Sequence, residues 1–467
     1  MNEQESSKVS GPPRTHGMRE IRAEGSHLNR QVLLPAERFI HSETIGGALL
    51  LVCAIVALAW ANSPWSQSYF AFRDTPVSFQ FGSFSVALDL QHWINDGLMA
   101  VFFFVVALEI KRELVFGDLT DKRKAALPVA AALGGMIAPA GLYLALNFGG
   151  KGAAGWGIPM ATDIAFALAI LALLGRRVPL QLRMFLLTFA IVDDVGAIGV
   201  IAIYYTEHFS LPAMGLAIAI LGLMLAMRWL GFRSPMAYVL PAVIFWAAML
   251  KSGVHATVAG VILGAITPAI SPGRKSTFVE AVKEILPDVP DSPDREDSER
   301  NEIMLGRIEE MARQTESPLE RLERMVHPWT SYLVLPLFAL VNAGVALSGE
   351  FIRQAFTSAV TLGVILGLVV GKAVGVTAFA WLAVRLGWAA LPGGVTWRHI
   401  TGAALIGGVG FTVSLFITGL AFTEALLIEE AKVGVLAASL IAGLGGYLVL
   451  LLVSRGSKPG DEKGSGA

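Results

Sequence analysis

Apolar runs of about twenty residues, broken by short polar stretches, fill the chain from residue 42 to residue 454. A bilayer core of roughly 30 Å needs about 20 apolar residues per helix, and twelve runs qualify. Their limits are 42 to 62, 93 to 117, 125 to 147, 153 to 175, 180 to 205, 210 to 230, 236 to 251, 254 to 271, 329 to 347, 355 to 384, 398 to 420 and 430 to 454. A different period interrupts them after the first run. Val77, Phe79 and Phe81 alternate with polar residues, and Phe84, Val86, Leu88 and Leu90 do so after Gly82-Ser83, which predicts a β-hairpin over about 75 to 90 with a two-residue turn. An isolated hairpin is only marginally stable, so it is expected to pair with a second subunit or to pack on its own bundle.

Composition places the chain in the membrane class. It has 467 residues, 54% hydrophobic and 16% charged, and its mean hydropathy of +0.61 lies outside the soluble range. The net charge of −1 gives no basic surface for nucleic acid, and Cys53 is the only cysteine, so no internal disulfide can form. Lys and Arg concentrate after the second span (Lys111, Arg112, Lys122, Arg123, Lys124), after the fourth (Arg176, Arg177, Arg183) and after the twelfth (Arg455, Lys458). By the positive-inside rule those loops and both termini are cytoplasmic. Residues 1–38 mix both charges with Gly, Pro and Ser and lack an apolar leader core, so they are expected to form a disordered tail before an antiporter-sized domain over 39–455 and a short tail over 456–467.

The stretch from 272 to 328 holds fourteen acidic and nine basic residues. Its portion up to about residue 316 reads as a charged, disordered insertion. Helix is expected to resume at "SPLE", residues 317–320, a capping box with proline at the first helical position, and Leu319, Leu322 and Val326 then form an apolar stripe that packs on the bundle.

Four ionisable residues fall near the midpoints of spans: Asp163 in the fourth, Asp193 and Asp194 in the fifth, Lys372 in the tenth. A charge at a helix centre costs about 2.5 to 3.5 kcal/mol on insertion scales, so four separate burials would cost on the order of 10 kcal/mol, the scale of a whole domain's stability. They are expected to face one another or a cavity. Three acids against one base leave charge unmatched, which argues against a pair that merely fixes packing. Consecutive helical residues point about 100° apart, so Asp193 and Asp194 take separate roles: one can pair with Lys372 while the other opens to water and binds a cation. Hard cations want oxygen ligands, and a carboxylate kept from water beside a like charge takes up a proton readily. Such a site exchanges a metal ion for a proton. Gly157 and Pro159 before Thr162-Asp163, and "GGVGFT" at 407–412, predict interruptions in the fourth and eleventh spans, with Asp163 suited to facing half-helix N-termini and Lys372 to facing C-termini.

The chain resembles NhaA-type Na+/H+ antiporters of bacterial inner membranes. The resemblance rests on "WINDGLMAVFF" (93–103), "LEIKREL" (108–114), "ATDIAFAL" (161–168), "AIVDDVGAI" (190–198), "LKSGVHAT" (250–257), "HPW" (327–329), "LPLFALVNAG" (335–344) and "GVGFT" (408–412). It implies an all-α polytopic membrane protein of twelve transmembrane helices with an inverted-topology repeat of spans three to five and ten to twelve, discontinuous spans four and eleven, and the small outer β-hairpin. The general rule linking paired broken helices to transport was itself drawn partly from this family. The resemblance further implies Asp194 as the principal cation-binding and proton-carrying aspartate, Asp193 as the neighbour that alternates between the site and Lys372, and Thr162 and Asp163 in the unwound part of span four. The metal ligands on this reading are Asp193 and Asp194, for a transported Na+ or Li+ rather than a resident cofactor, and none is expected.

The same family reading gives electrogenic secondary active transport, activation at alkaline pH and a pH-responsive cluster matched by Glu109, Glu113 and Glu323; membrane lipid is expected around the spans, and the hairpin's need of a partner points to a homodimer. His255 and His327 also match family positions. Arg324 stands where familiar members carry a titratable histidine, and arginine cannot titrate in this range. An intramembrane aspartyl protease would need a GxGD sequence within a span, and the only Gly-Asp outside the tails, Gly117-Asp118, falls at a helix end. A sodium-coupled symporter would need a larger polar pocket than the mid-span residues provide.

Overall fold

A computed structural model describes residues 34–81, 84–206, 209–232, 234–270 and 317–456, together with residues 304 and 306. Of the tails expected at 1–38 and 456–467, residues 1–33 and 457–467 fall outside the described residues, as do the hairpin tip at Gly82-Ser83 and the body of the charged insertion, while Leu34–Arg38 and Gly456 belong to helices.

The apolar runs fold as helices. In order, α1 spans Leu34–Ala61 and α2 Ser66–Arg73; strands β1 (Pro76–Phe81) and β2 (Phe84–Asp89) follow. Then come α3 (Leu90–Phe116) and α4 (Lys122–Asn147), a 3₁₀ segment over Lys151–Met160, and α5 (Ile164–Leu174). Next are α6 (Leu180–Tyr204), α7 (Leu211–Trp229), α8 (Pro235–Ser252) and α9 (Ala256–Ile266). After the insertion the chain continues as α10 (Pro318–Trp329), α11 (Leu335–Asn342) and α12 (Gly349–Ala355). The last elements are α13 (Ala359–Arg385), α14 (Trp397–Gly407), α15 (Phe411–Ala421) and α16 (Ala425–Gly456).

Among the described residues seven helices are long and apolar enough to cross a bilayer, and the number is ten if each of three bent pairs is one span. Two of the twelve predicted spans fall short of that length. At 1.5 Å per residue, the 11 residues of α9 cover only about half a bilayer core. The ninth predicted span, 329 to 347, starts at the last residue of α10, and its helix stops early, with α11 ending at Asn342. The bends in the predicted fourth and eleventh spans are 43° and 46°; a third, of 119°, turns the chain from α1 into the short helix α2 and was not foreseen.

The predicted hairpin is present. Its strands pair antiparallel from Pro76↔Asp89 to Phe81↔Phe84, a register that requires a two-residue connection. Trp93 Nε1 donates to the Val77 carbonyl at 2.8 Å, tying the hairpin to the start of α3. The predicted capping box also forms, with Glu320 N–H donating to Ser317 Oγ at 3.1 Å and Ser317 N–H to Glu320 Oε2 at 3.2 Å. Leu319 is buried against Leu108 and Ala269, with Leu322 partly buried beside it, so the stripe packs on the bundle.

Small residues let helices approach closely where side chains cannot supply a water-driven force. α4 and α13 cross at Gly134 and Gly375, where a Cβ on either glycine would overlap the other's carbonyl oxygen. Three wider, π-helical turns interrupt the spans: Trp93–Leu98 opening α3, Thr330–Val334 between α10 and α11, and Gly367–Gly371 within α13. Gly367 and Gly371 lie against Pro139, and Gly367 also against Pro159, with no room for a Cβ. Such turns often mark functional sites, and the last two flank the buried acids.

Candidate functional site

A broken helix exposes N–H and C=O groups that hydrocarbon cannot satisfy. The two breaks, at residues 161–163 and 408–410, satisfy each other. Asp163 N–H donates to the Val409 carbonyl at 2.7 Å, Thr162 Oγ1 donates to the Gly407 carbonyl at 2.7 Å, and Ser414 Oγ donates to the Ile158 carbonyl at 2.7 Å. The Asp163 carboxylate joins the N-termini of α5 and α15: Oδ1 accepts from Phe166 N–H at 3.1 Å, and Oδ2 accepts from Thr412 N–H at 3.0 Å and Thr412 Oγ1 at 2.6 Å. An acid held by two N-terminal dipoles is a favourable electrostatic arrangement, and it is the placement the sequence suggested for Asp163.

Asp193 and Asp194 are adjacent on α6 and both buried, yet they face different partners. Lys372, the residue after the π-turn of α13, donates from Nζ to Asp193 Oδ2 at 2.6 Å and to Thr162 Oγ1 at 2.9 Å, and lies 5.4 Å from the Phe189 ring centre. Through Thr162 the ammonium is linked to the carbonyl of Gly407, the C-terminal end of α14. Asp193 Oδ1 has no hydrogen-bond partner among the described residues. The Asp194 carboxylate accepts no side-chain or backbone hydrogen bond and forms no ion pair among the described residues. It lines a cleft of about 500 Å³, solvent-open mouth included. Only about 40 Å³ of it can be occupied by the centres of water-sized spheres, and one water needs about 10–15 Å³ on that measure, so the cleft takes a largely desolvated ion with a few waters. Thr162, Asp163 and Thr412 share its wall with Asp194, whereas Asp193 and Lys372 stand behind it.

The cleft runs from the acids towards the end of the bundle that carries the basic loops. Near that end it is lined by Glu109 and His327, whose Oε1 and Nε2 are 3.7 Å apart. Glu323 is buried and ion-paired with Arg112; burial pushes its carboxyl above the usual glutamate range while the Arg112 guanidinium pulls it back. Glu113 does not join them, because its Oε1 accepts from Asp118 N–H at 2.7 Å and so closes the turn after its own helix. His255 lies apart as well: it precedes α9, beside Asp96, which is about 20 Å along α3 from Glu109. Arg324 is exposed on α10. Sequence reasoning did not single out Thr412, Ser414, Thr330, Ser331 or Arg112. "GVGFT" and "LEIKREL" did contain Thr412 and Arg112, but a hydrogen bond across 249 residues leaves no periodic trace.

The sequence profile described as Na+/H+ antiporter 1 matches residues 37–450. Proteins named Na(+)/H(+) antiporter NhaA are similar over nearly the whole chain. That of Oleidesulfovibrio alaskensis is 45% identical over 440 residues, covering 92% of this chain and 96% of its own. That of Rhodopirellula baltica is 46% identical over 419 residues, covering 90% and 94%, and that of Cupriavidus necator 42% over 455 residues, covering 97% of each. With a multi-pass helical body and a match of this extent, the chain belongs to the Na+/H+ antiporter 1 family, a family of membrane transporters and not of catalysts.

Proposed function

We propose that the protein is a secondary active antiporter that exports Na+ or Li+ in exchange for protons across a bacterial inner membrane, with both termini cytoplasmic. The observation that carries this reading is the division between the two adjacent aspartates. Asp193 is held by Lys372, while Asp194 has no hydrogen-bonding partner among the described residues and opens on the cleft. An ionised Asp194, with Asp163 and Thr162 beside it, supplies hard oxygen ligands to an alkali cation. Protonation of the same carboxylate removes its charge and releases the ion, so the two cargoes exclude each other. Asp193 and Lys372 form a second proton-exchanging unit: an ion that draws Asp193 into its shell leaves the ammonium without its counter-ion and lets it shed a proton. More protons than cations then cross per cycle, which makes exchange electrogenic.

The cleft reaches the basic end, so this state is open to the cytoplasm. The opposite state in an alternating-access cycle would open the same site towards the hairpin end. We assign twelve spans with α4–α6 and α13–α16 as inverted repeats, a reading supported by the paired breaks and by their reciprocal hydrogen bonds. The Glu109–His327 pair at the mouth and the Arg112–Glu323 pair beside it are the groups to which this reading assigns activation at alkaline pH. The two-stranded hairpin, with no further strand beside it among the described residues, supports a homodimer formed through its edge.

Everted membrane vesicles energised by respiration test this reading. Added NaCl or LiCl is expected to dissipate the pH gradient, and Asp194→Asn to abolish the effect with expression and folding retained. Sodium-dependent exchange undiminished in that variant would remove Asp194 from the centre of the mechanism.

A further inference from the structure

The cleft has a floor. α3 reaches the mouth at Glu109 and lines the cleft inward as far as Phe102; the chain that enters at His327 lines it as far as Leu335, the first residue of α11. From those two residues both helices continue towards the hairpin end. Below the floor their seam holds Met99 and Phe103 of α3 and Phe338 and Ala339 of α11, all buried in one apolar cluster. The ring of Phe416 on α15 packs there too, its centre 5.4 Å from that of Phe103 and 6.4 Å from that of Phe338.

Seven residues past the floor on each helix, about 10 Å further on, the seam becomes polar. Asn95 lies within the π-helical turn Trp93–Leu98, and Asn342 is the last residue of α11. Asn342 Nδ2 donates to Asn95 Oδ1 at 2.8 Å, and Asn95 Nδ2 returns a bond to Asn342 Oδ1 at 3.3 Å. Gln91 Nε2 donates to the same Oδ1 at 2.9 Å, and Asn342 Nδ2 also donates to the Phe338 carbonyl at 3.0 Å. A carboxamide has two N–H donors and two carbonyl lone pairs, so all four of Asn342's are taken, and the residue is buried.

A seam that stays shut needs no amides: α4 and α13 close theirs with glycine on glycine. A buried amide network is favourable only when every member is satisfied, as it is here with the helices together. Drawn apart into water, the same amides exchange each lost bond for one to solvent, whereas an apolar seam would expose bare hydrocarbon. Such a cluster suits a joint that is alternately dry and wet.

Resting on the antiport reading above, we propose that Asn95 and Asn342, joined by Gln91, are the outer latch of the ion passage. Their amides hold α3 against α11 while the site faces the basic end, and they part when it turns to the hairpin end.

The test reads access to Met99, fully buried on α3 one turn deeper than Asn95. Met99→Cys is made in a Cys53→Ala background, which removes the only native thiol, and is labelled with a charged, membrane-impermeant methanethiosulfonate. Intact cells present the hairpin end to the reagent and everted vesicles the mouth. Adding Asn342→Leu or Asn95→Leu removes at least two hydrogen bonds, which corresponds to labelling roughly five- to a hundredfold faster from the hairpin end, with the rate from the mouth unchanged. An unaltered rate from the hairpin end, or an equal rise from both sides, overturns the proposal. A second arm tightens the seam instead: Asn95→Cys/Asn342→Cys, bridged by a short bifunctional thiosulfonate, is expected to stop exchange until a reductant is added. Exchange that continues across the bridge overturns the proposal equally. Failure of the antiport reading looks different, since the parent itself would then show no sodium-dependent exchange.

Discussion

Asp163 and Asp194 are both buried carboxylates a few ångströms from the same cleft, and the structure assigns them opposite effects on stability. Asp163 accepts three hydrogen bonds, two from backbone N–H groups at the starts of α5 and α15. Asp163→Ala strands both donors in a site water reaches poorly. At about 1–3 kcal/mol for each of the two buried unsatisfied donors, and about 1 kcal/mol more for the lost cap, destabilisation of roughly 3–7 kcal/mol is expected. Asp194 accepts none among the described residues, so whenever it is ionised without a cation its charge is buried uncompensated. Asp194→Asn removes a charge whose insertion costs about 2.5–3.5 kcal/mol and leaves a neutral amide costing about 1–3 kcal/mol, a net change between zero and a modest gain. Both variants should be purified in sodium-free buffer near pH 8, where Asp194 lacks its ion, and unfolded by heat with size-exclusion fluorescence as the readout. Asp163→Ala is expected to melt several degrees below the parent, and Asp194→Asn at or above it. The reasoning fails if Asp163→Ala melts with the parent, or if both variants fall by the same amount.

Other perturbations address separate parts of the molecule. Gly375→Val places two methyl groups against the Gly134 carbonyl and should cost about 3 kcal/mol, seen as lost expression or a lowered melting temperature, while Gly419→Ala, where no neighbour lies near the added Cβ, should be tolerated. Arg112→Met removes the cation that holds Glu323 down; Glu323 then keeps its proton to higher pH, and the pH profile of sodium-driven exchange is expected to move in the alkaline direction, an unmoved profile arguing against any part for this pair. Deleting residues 76–89 should convert a dimer to monomers in light scattering, while exchange by each protomer continues.

The helical body was legible in the sequence because each span is a long apolar run with its own local signals. The predicted limits 180 to 205 and 210 to 230 differ from α6 and α7 by about a residue, and the capping box at Ser317 and Glu320 formed as written. Gly and Pro also marked both mid-span breaks. What the sequence did not disclose is geometry set by contacts between distant segments. The π-turns before Lys372 and at Ser331 have no composition of their own. The sharp turn after Ala61 follows a serine and proline that a linear reading takes for an ordinary loop. Among the candidate site residues, the partition of Asp193 and Asp194 followed from helical phase, whereas Thr412 could be found only once two helix ends had met. Glu113 and His255, grouped with Glu109 by resemblance, are directed elsewhere by a neighbouring turn and by helix length.

The crossing of α4 and α13 at Gly134 and Gly375 carries a mechanical corollary. With main chain seated on main chain, neither rod can slide along the other without driving a bulky residue into a peptide group, so shear between them is blocked. Pro139 and Lys372 therefore travel together in whatever rearrangement the bundle undergoes. Relative movement has to be accommodated at looser seams, and a pair of spectroscopic labels placed across this crossing would keep a constant separation while labels elsewhere change theirs.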